Sequence, residues 1–164
     1  MHMVKNQEPS IRLVTQDDIP NLAYHHRAML EEIWVKKNRA SDPALLSALE
    51  EEYTRKLADE LKSGTCIAWV TVLEGRIVSS GAISILSDVP VPHDLSSKIA
   101  FLHSIYTEKS YRNHHYAQGI TCEATRYCRQ QGIKRLYLFS SDDGRSIYEK
   151  NGFMPVDNVM MLYQ

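Results

Sequence analysis

The chain has little of what pins a fold from outside. Its 164 residues include three cysteines, Cys66, Cys122 and Cys128, an odd number without C-x-x-C spacing. This excludes a disulfide framework or a zinc knuckle and leads us to expect a reducing, cytoplasmic setting. Nowhere do about eighteen apolar residues run together, so no membrane-spanning helix is expected. The opening stretch MHMVKNQEPS has no apolar signal core. Excess charge is missing too: 19 Lys and Arg stand against 20 Asp and Glu, a formal charge of -1. No global field draws the chain to nucleic acid or an anionic membrane, so any phosphate recognition has to be local. Without internal repeats or low-complexity segments, one domain over residues 1–164 is expected, with 1–9 as a flexible tail.

What is present reads as alternating strands and helices. Ile11-Arg12-Leu13-Val14 alternates as a half-buried strand does, and Thr15-Gln16-Asp17-Asp18 is a capping-box-like helix start. Leu22, Ala23, His26, Met29, Leu30 and Ile33 then form an apolar stripe at helical spacing. By the same pattern His25 reads as a surface residue. Ser41-Asp42-Pro43 opens a second helix, striped by Leu46, Leu49, Tyr53, Leu57 and Leu61 and stopped by Gly64. Cys66–Leu73 and Arg76–Leu86 are β-rich runs about a Glu74-Gly75 hairpin turn. The proline-bearing stretch Ser87–Ser97 is a loop. A strand over Ile99–Thr107, a helix over about His115–Gln131, a strand over Leu136–Phe139 and a short helix ending at Asn151-Gly152 follow. Phe153–Tyr163 is apolar enough for one or two final strands. The order β-α-α-β-β-β-α-β-α-β(-β) is a mixed α/β layer, antiparallel first and with a βαβ unit later.

Two segments carry chemistry. From Leu102 to Ile120 the chain passes from strand through the polar turn Tyr111-Arg112-Asn113-His114-His115 into an amphipathic helix. A helix N-terminus holds unpaired N–H groups and the positive end of the dipole, so it suits a pyrophosphate even in a neutral protein. Arg112 and His114 add positive character. After the next strand comes Tyr148-Glu149-Lys150-Asn151-Gly152-Phe153, which lets Tyr148 face the space beside that turn. No metal site is expected. Adjacent histidines such as His114 and His115 diverge by about 100° around a helix, and no fourth ligand is spaced to join them and Cys122. Asp142-Asp143-Gly144 lacks the later ligands of a calcium loop.

Together the two segments resemble the GNAT acetyltransferase superfamily. Arg112-Asn113-His114-His115-Tyr116-Ala117 aligns with its Arg/Gln-x-x-Gly-x-Gly/Ala loop, and Tyr148 to Phe153 with its Tyr-Glu-Lys-x-Gly-Phe signature. The resemblance is specific from about Ile99 to Phe153. It implies a GNAT-like α/β fold with a mixed sheet of about six to seven strands, flanked by helices and splayed between the fourth and fifth. It also implies acetyl-CoA as acyl donor, its pantetheine arm against the backbone of Ile105, Tyr106 and Thr107 and its pyrophosphate on the amides of Asn113, His114, His115, Tyr116, Ala117 and Gln118. Ser141 takes the place of a family asparagine that touches pantetheine. The same resemblance implies Tyr148 as the acid that protonates the departing thiolate and a strand amide near Ile105 as polariser of the thioester carbonyl. His115 stands where the family has its first glycine, so its side chain is expected to crowd the phosphates or to force other backbone angles.

Amine acetylation also needs a proton acceptor. His103, two residues from Ile105 and hence expected on the same strand face, has suitable intrinsic chemistry; Glu31 and Glu32 are alternatives that could line the acceptor pocket. Trp34, Trp69, Tyr24 and Tyr53 are candidates to shape that pocket. The expected activity is transfer of acetyl to a primary amine, of a small molecule first, by direct attack in a ternary complex. A non-catalytic acyl-CoA-binding module and a binder of another phosphate ligand are the alternatives. Acceptor specificity is expected from the first helices and the Ser87–Ser97 loop, and the apolar run Val159-Met160-Met161-Leu162 is compatible with a homodimer.

Overall fold

A computed structural model describes residues 7–164 of the chain. The first six residues of the expected tail lie outside them. Five strands, β1 (Ser10–Leu13), β2 (Cys66–Leu73), β3 (Arg76–Ser87), β4 (Lys98–Thr107) and β5 (Leu136–Leu138), form one sheet in that spatial order. Neighbours are antiparallel except β4 and β5, which are parallel. Four helices complete the described fold: α1 (Ile19–Lys36), α2 (Pro43–Ser63), α3 (Tyr116–Gln130) and α4 (Arg145–Lys150).

Local chemistry sets the boundaries. The Asp42 carboxylate accepts the Leu45 amide at 3.0 Å, an N-cap ahead of Pro43. Gly64 ends α2 at φ +74°, a left-handed position that costs glycine no Cβ clash. Asp18 accepts the Thr15 amide at 2.8 Å and a two-pronged contact from Arg12 at 2.7 and 3.0 Å. The Arg12 hydrogen bond outweighs burial and holds the Asp18 carboxyl at about 2. The chain makes a 3-10 turn at Gln16–Asp18 before α1 begins at Ile19.

The sheet separates two cores. On one face Ile19, Leu22, Ala23, Tyr53 and Leu57 of α1 and α2 bury Cys66, Ala68, Val70 and Ala82. On the other, Ile120, Ala124 and Cys128 of α3 bury Trp69, Ile83, Ala100 and Leu102. Trp69 is thus core, its ring 5.9 Å from that of Tyr127.

The expected count of six to seven strands is corrected to five. No strand forms after Phe153 among the described residues, because Pro155 cannot donate to a ladder and a turn at Asp157-Asn158 splits the apolar run. The expected loop after β3 forms. Arg135 clasps it, donating to Asp94 at 2.7 Å, Asp88 at 2.9 Å and the Val89 carbonyl at 2.9 Å. It sits at the Lys98 end of β4, nine residue steps or about 30 Å from Thr107 and the phosphate-loop candidate.

Candidate active site

β5 pairs with β4 only over Ala100–Leu136, Phe101–Tyr137 and Leu102–Leu138. Beyond Leu102 the two strands part, as expected, so the β4 backbone from His103 to Thr107 has an unpaired edge on that side. The strand also carries a β-bulge. Ala82 faces His103 while Ser80 faces Tyr106, so β4 holds one residue more than β3, and Ser104 takes φ +57°. A bulge leaves its extra residue out of the ladder and re-aims side chains. Gly81, opposite it, makes room: a Cβ there would come within 2.2 Å of Ile105 and 2.8 Å of Ile120.

The bulge corrects one expectation. His103 and Ile105 do not share a face. Ile105 packs into the α3-side core, whereas His103 turns to α1 and α2. There its Nε2 lies 2.9 Å from the Ser84 hydroxyl and its Nδ1 2.9 Å from that of Ser104. Ser104 in turn lies 2.9 Å from His26 Nδ1. His26 stacks on Tyr53 with centroids 4.1 Å apart, and Tyr53 meets His103 edge-on at 6.2 Å. Burial drives both His26 and His103 down from 6.5 to about 4, so both imidazoles are neutral at physiological pH. The Tyr53 hydroxyl, buried in the same cluster, has no protein partner among the described residues.

β4 then leads into the loop. Asn113 and His115 have φ +66° and +62°, and His115 is the N-cap residue of α3, without a side-chain cap. Its carbonyl accepts the Gly119 amide at 3.0 Å, the first intrahelical bond of α3. The amides of Tyr116, Ala117 and Gln118 therefore open toward the loop. His115 takes a left-handed backbone that ordinarily favours glycine; its imidazole is exposed, as is His114, whose ring stacks 5.7 Å from Tyr116.

Arg112, expected at the cofactor site, is engaged within the fold. Its guanidinium donates to both Glu32 oxygens at 3.0 and 2.8 Å and to the Thr107 carbonyl at 2.9 Å. The Tyr106 hydroxyl donates to the same carboxylate at 2.8 Å. Burial pushes the Glu32 pKa upward, but these donors outweigh it and leave the carboxyl below its ordinary value. Arg112 thus ties the loop before α3 to α1. A second tie joins Lys36 of α1 to Asp143 before α4.

Tyr148 lies half-buried in the core that holds Ile105, Leu136 and Leu138, edge-on to Phe153 at 5.9 Å. Gly144 leaves room for it, since a Cβ there would approach its ring to 3.1 Å. Burial raises its pKa and keeps the phenol protonated. Ser141 is exposed, and its hydroxyl accepts the Gly144 amide at 3.2 Å, helping to shape the turn that presents Tyr148.

Two features escaped the sequence reading. His25, expected at the surface, is 1% exposed and lies 2.8 Å from the Ser80 hydroxyl and 3.3 Å from Glu108, which also receives Arg76 at 2.6 Å. Its burial partner Ser80 is 55 residues away, so no local pattern marks it. The Ser104 bulge likewise has no glycine to signal it. Among the described residues no group of three or more metal-ligating side chains clusters, and no helix is long and apolar enough to cross a membrane.

Solved structures share this architecture. A predicted acetyltransferase of Clostridium acetobutylicum with acetyl-CoA has a TM-score of 0.83 at 20% identity over 95% of this chain and 96% of that one. A GCN5-related N-acetyltransferase of Ralstonia eutropha JMP134 has the same score and identity over 95% and 99%. An aminoglycoside N-acetyltransferase in complex with CoA has a TM-score of 0.71 at 16% identity over 99% of each chain. The family model for the acetyltransferase (GNAT) family matches residues 27–153, which span β2 to α4, the bulge, the open helix terminus and Tyr148. The chain belongs to the acetyltransferase (GNAT) family.

Proposed function

We propose that the protein transfers the acetyl group of acetyl-CoA to a primary amine of a small molecule, by direct attack in a ternary complex. The observation that carries this reading is the unpaired β4 edge beyond Leu102 running straight into the open N-terminus of α3. One extended ligand with a diphosphate at its end suits both. Bound there, acetyl-CoA supplies an acyl group activated as a thioester.

The chain's own residues do the rest. The backbone of Ile105, Tyr106 and Thr107 receives the pantetheine arm, and the amides from Asn113 to Gln118, including those of His114, His115, Tyr116 and Ala117, receive the pyrophosphate. Ser141 and Arg112 border this path, Arg112 by holding Thr107 and Glu32 in place. An amide at the bulge near Ile105 polarises the acetyl carbonyl. The amine nitrogen forms its bond to the acetyl carbon as the carbon–sulfur bond breaks; sulfur leaves with that electron pair and takes the Tyr148 proton, and the amine gives up a proton to the His103 side. Because both His103 nitrogens are already engaged by hydroxyls, His103 takes that proton as one hydroxyl turns away, and after the products leave the proton is released to solvent while the Tyr148 phenolate regains one from solvent, which restores both groups. The exposed Val159–Leu162 run supports a homodimer, to be tested by whether the molar mass in solution rises with concentration.

The decisive variant is Tyr148→Phe. Turnover is expected to fall by about 100-fold with the acetyl-CoA dissociation constant changed less than threefold, read by thiol release and by calorimetry. Equal loss of both, or of neither, refutes the role given to the phenol. Acetyl-CoA binding without thiol release for any amine selects the binding-module alternative.

A further inference from the structure

We propose that the acceptor carries its amine on an aromatic or apolar body, recognised by a wall made of Phe101, Tyr137 and Phe139 beside His103. This rests on the reading above and names the substrate class of the same site.

The ladder fixes which side these rings occupy. Ala82, a core residue of the α1/α2 face, pairs with His103, and Ser84, which bonds His103, pairs with Phe101. Directly paired residues share a face, so Phe101 stands on the His103 side, two residues or about 7 Å along the strand. Tyr137 is its parallel partner, ring on ring at 5.7 Å, and Phe139 closes the group at 5.5 Å from Phe101. With Tyr53 edge-on to His103 and His26 stacked on Tyr53, aromatic rings run from α1 across β4 to β5 with the imidazole at their middle. α1 packs over β3 and β4 and α2 over β2, and Phe139 at the far end is 69% exposed. An exposed aromatic surface next to a reaction centre selects ligands that can lie flat on it.

Charge points the same way. A polycationic acceptor needs free carboxylates around the site. Glu32 is already occupied by Arg112 and Tyr106, and Asp143 by Lys36. Both are neutralised within the fold. The ring faces of the wall accept a single ammonium as well as a flat apolar body.

The test compares 2-phenylethylamine, ethanolamine and spermidine as acceptors, with thiol release from acetyl-CoA for the whole protein and for Phe139→Ala. In parallel, calorimetry measures phenylethylamine binding to the CoA-saturated protein and variant. We expect kcat/KM for phenylethylamine to exceed that for ethanolamine roughly tenfold, with spermidine poorest. Phe139→Ala is expected to lower the phenylethylamine value at least five times more than the ethanolamine value, with acetyl-CoA KM moving less than twofold. A preference for spermidine, or equal losses for all three amines, overturns the wall as a specificity element while leaving acetyl transfer standing. Phenylethylamine that binds the protein but not the variant, without transfer, supports the wall and sinks the catalytic reading. Neither binding nor transfer of phenylethylamine overturns the proposal, and the surface then belongs to another occupant such as the tail of a second copy.

Discussion

His115→Gly isolates the cost of a side chain in a glycine's place. At φ +62° and ψ +23° an L-residue carries about 1–2 kcal/mol of Cβ–carbonyl crowding. Its imidazole offers no cap hydrogen bond to offset that. Glycine removes the crowding but gives the unfolded chain extra freedom, worth about 0.5–1 kcal/mol. The net expectation is a gain of about 0.5 kcal/mol, or about 1–2 °C in Tm for a domain of this size. Alanine keeps the Cβ, so His115→Ala is expected to stay level with wild type, about 0.5 kcal/mol below the glycine variant. Denaturant titration of wild type and both variants measures these differences. If, as proposed, the phosphate donors are backbone amides, the glycine variant is also expected to bind acetyl-CoA at least as tightly as wild type. A glycine variant less stable than the alanine one, or one that loses acetyl-CoA affinity tenfold, refutes the reasoning, since either result means the imidazole itself makes a favourable contact.

Glu32→Gln removes the charge that holds Arg112 and is expected to cost about 1 kcal/mol, modest because the Arg112 side chain is partly in solvent. If Arg112 positions the loop, KM for acetyl-CoA rises severalfold with kcat little changed; steady-state kinetics decide. Acid is expected to destabilise the fold between pH 6.5 and about 4. His26 and His103 are held near 4 by burial but titrate near 6.5 unfolded, so over that range the unfolded chain binds more protons and stability falls as pH falls. By pH 5 the loss is on the order of 2 kcal/mol for each histidine, or about 4 kcal/mol for the pair. Denaturant titration at pH 7.5 and pH 5 checks this, and a His26→Gln, His103→Gln double variant with an undiminished acid loss counts against these two groups as its source.

Much of this was legible from the chain because short-range chemistry dictated it. Asp42-Pro43, Gly64 and the Glu74-Gly75 turn each act on their own few residues, with Glu74 and Gly75 at φ +51° and +77°. The open helix terminus after Arg112 could likewise be anticipated from backbone geometry alone. What could not be read depends on partners far along the chain. Alternation placed His103 with Ile105 because it assumes a two-residue repeat, and the Ser104 bulge breaks that repeat. Arg112 was assigned to phosphate by its neighbours in sequence, yet its carboxylate partner Glu32 lies 80 residues earlier. The final strands were anticipated from apolarity, but Pro155 and the Asp157-Asn158 turn outweigh it.

The extra residue at Ser104 divides β4 into two reading frames. Ahead of it, odd-numbered side chains, Phe101 and His103, look toward α1 and α2; after it the even-numbered Tyr106 does, while Ile105 looks the other way. Phe101 can be varied without disturbing the register of Ile105 to Thr107, and deleting Ser104 would restore plain alternation, with His103, Ile105 and Tyr106 opposite Ala82, Gly81 and Ser80 on the faces they already hold. On the acceptor wall proposed above, the strand could change its acceptor while leaving untouched the backbone on which its donor would lie.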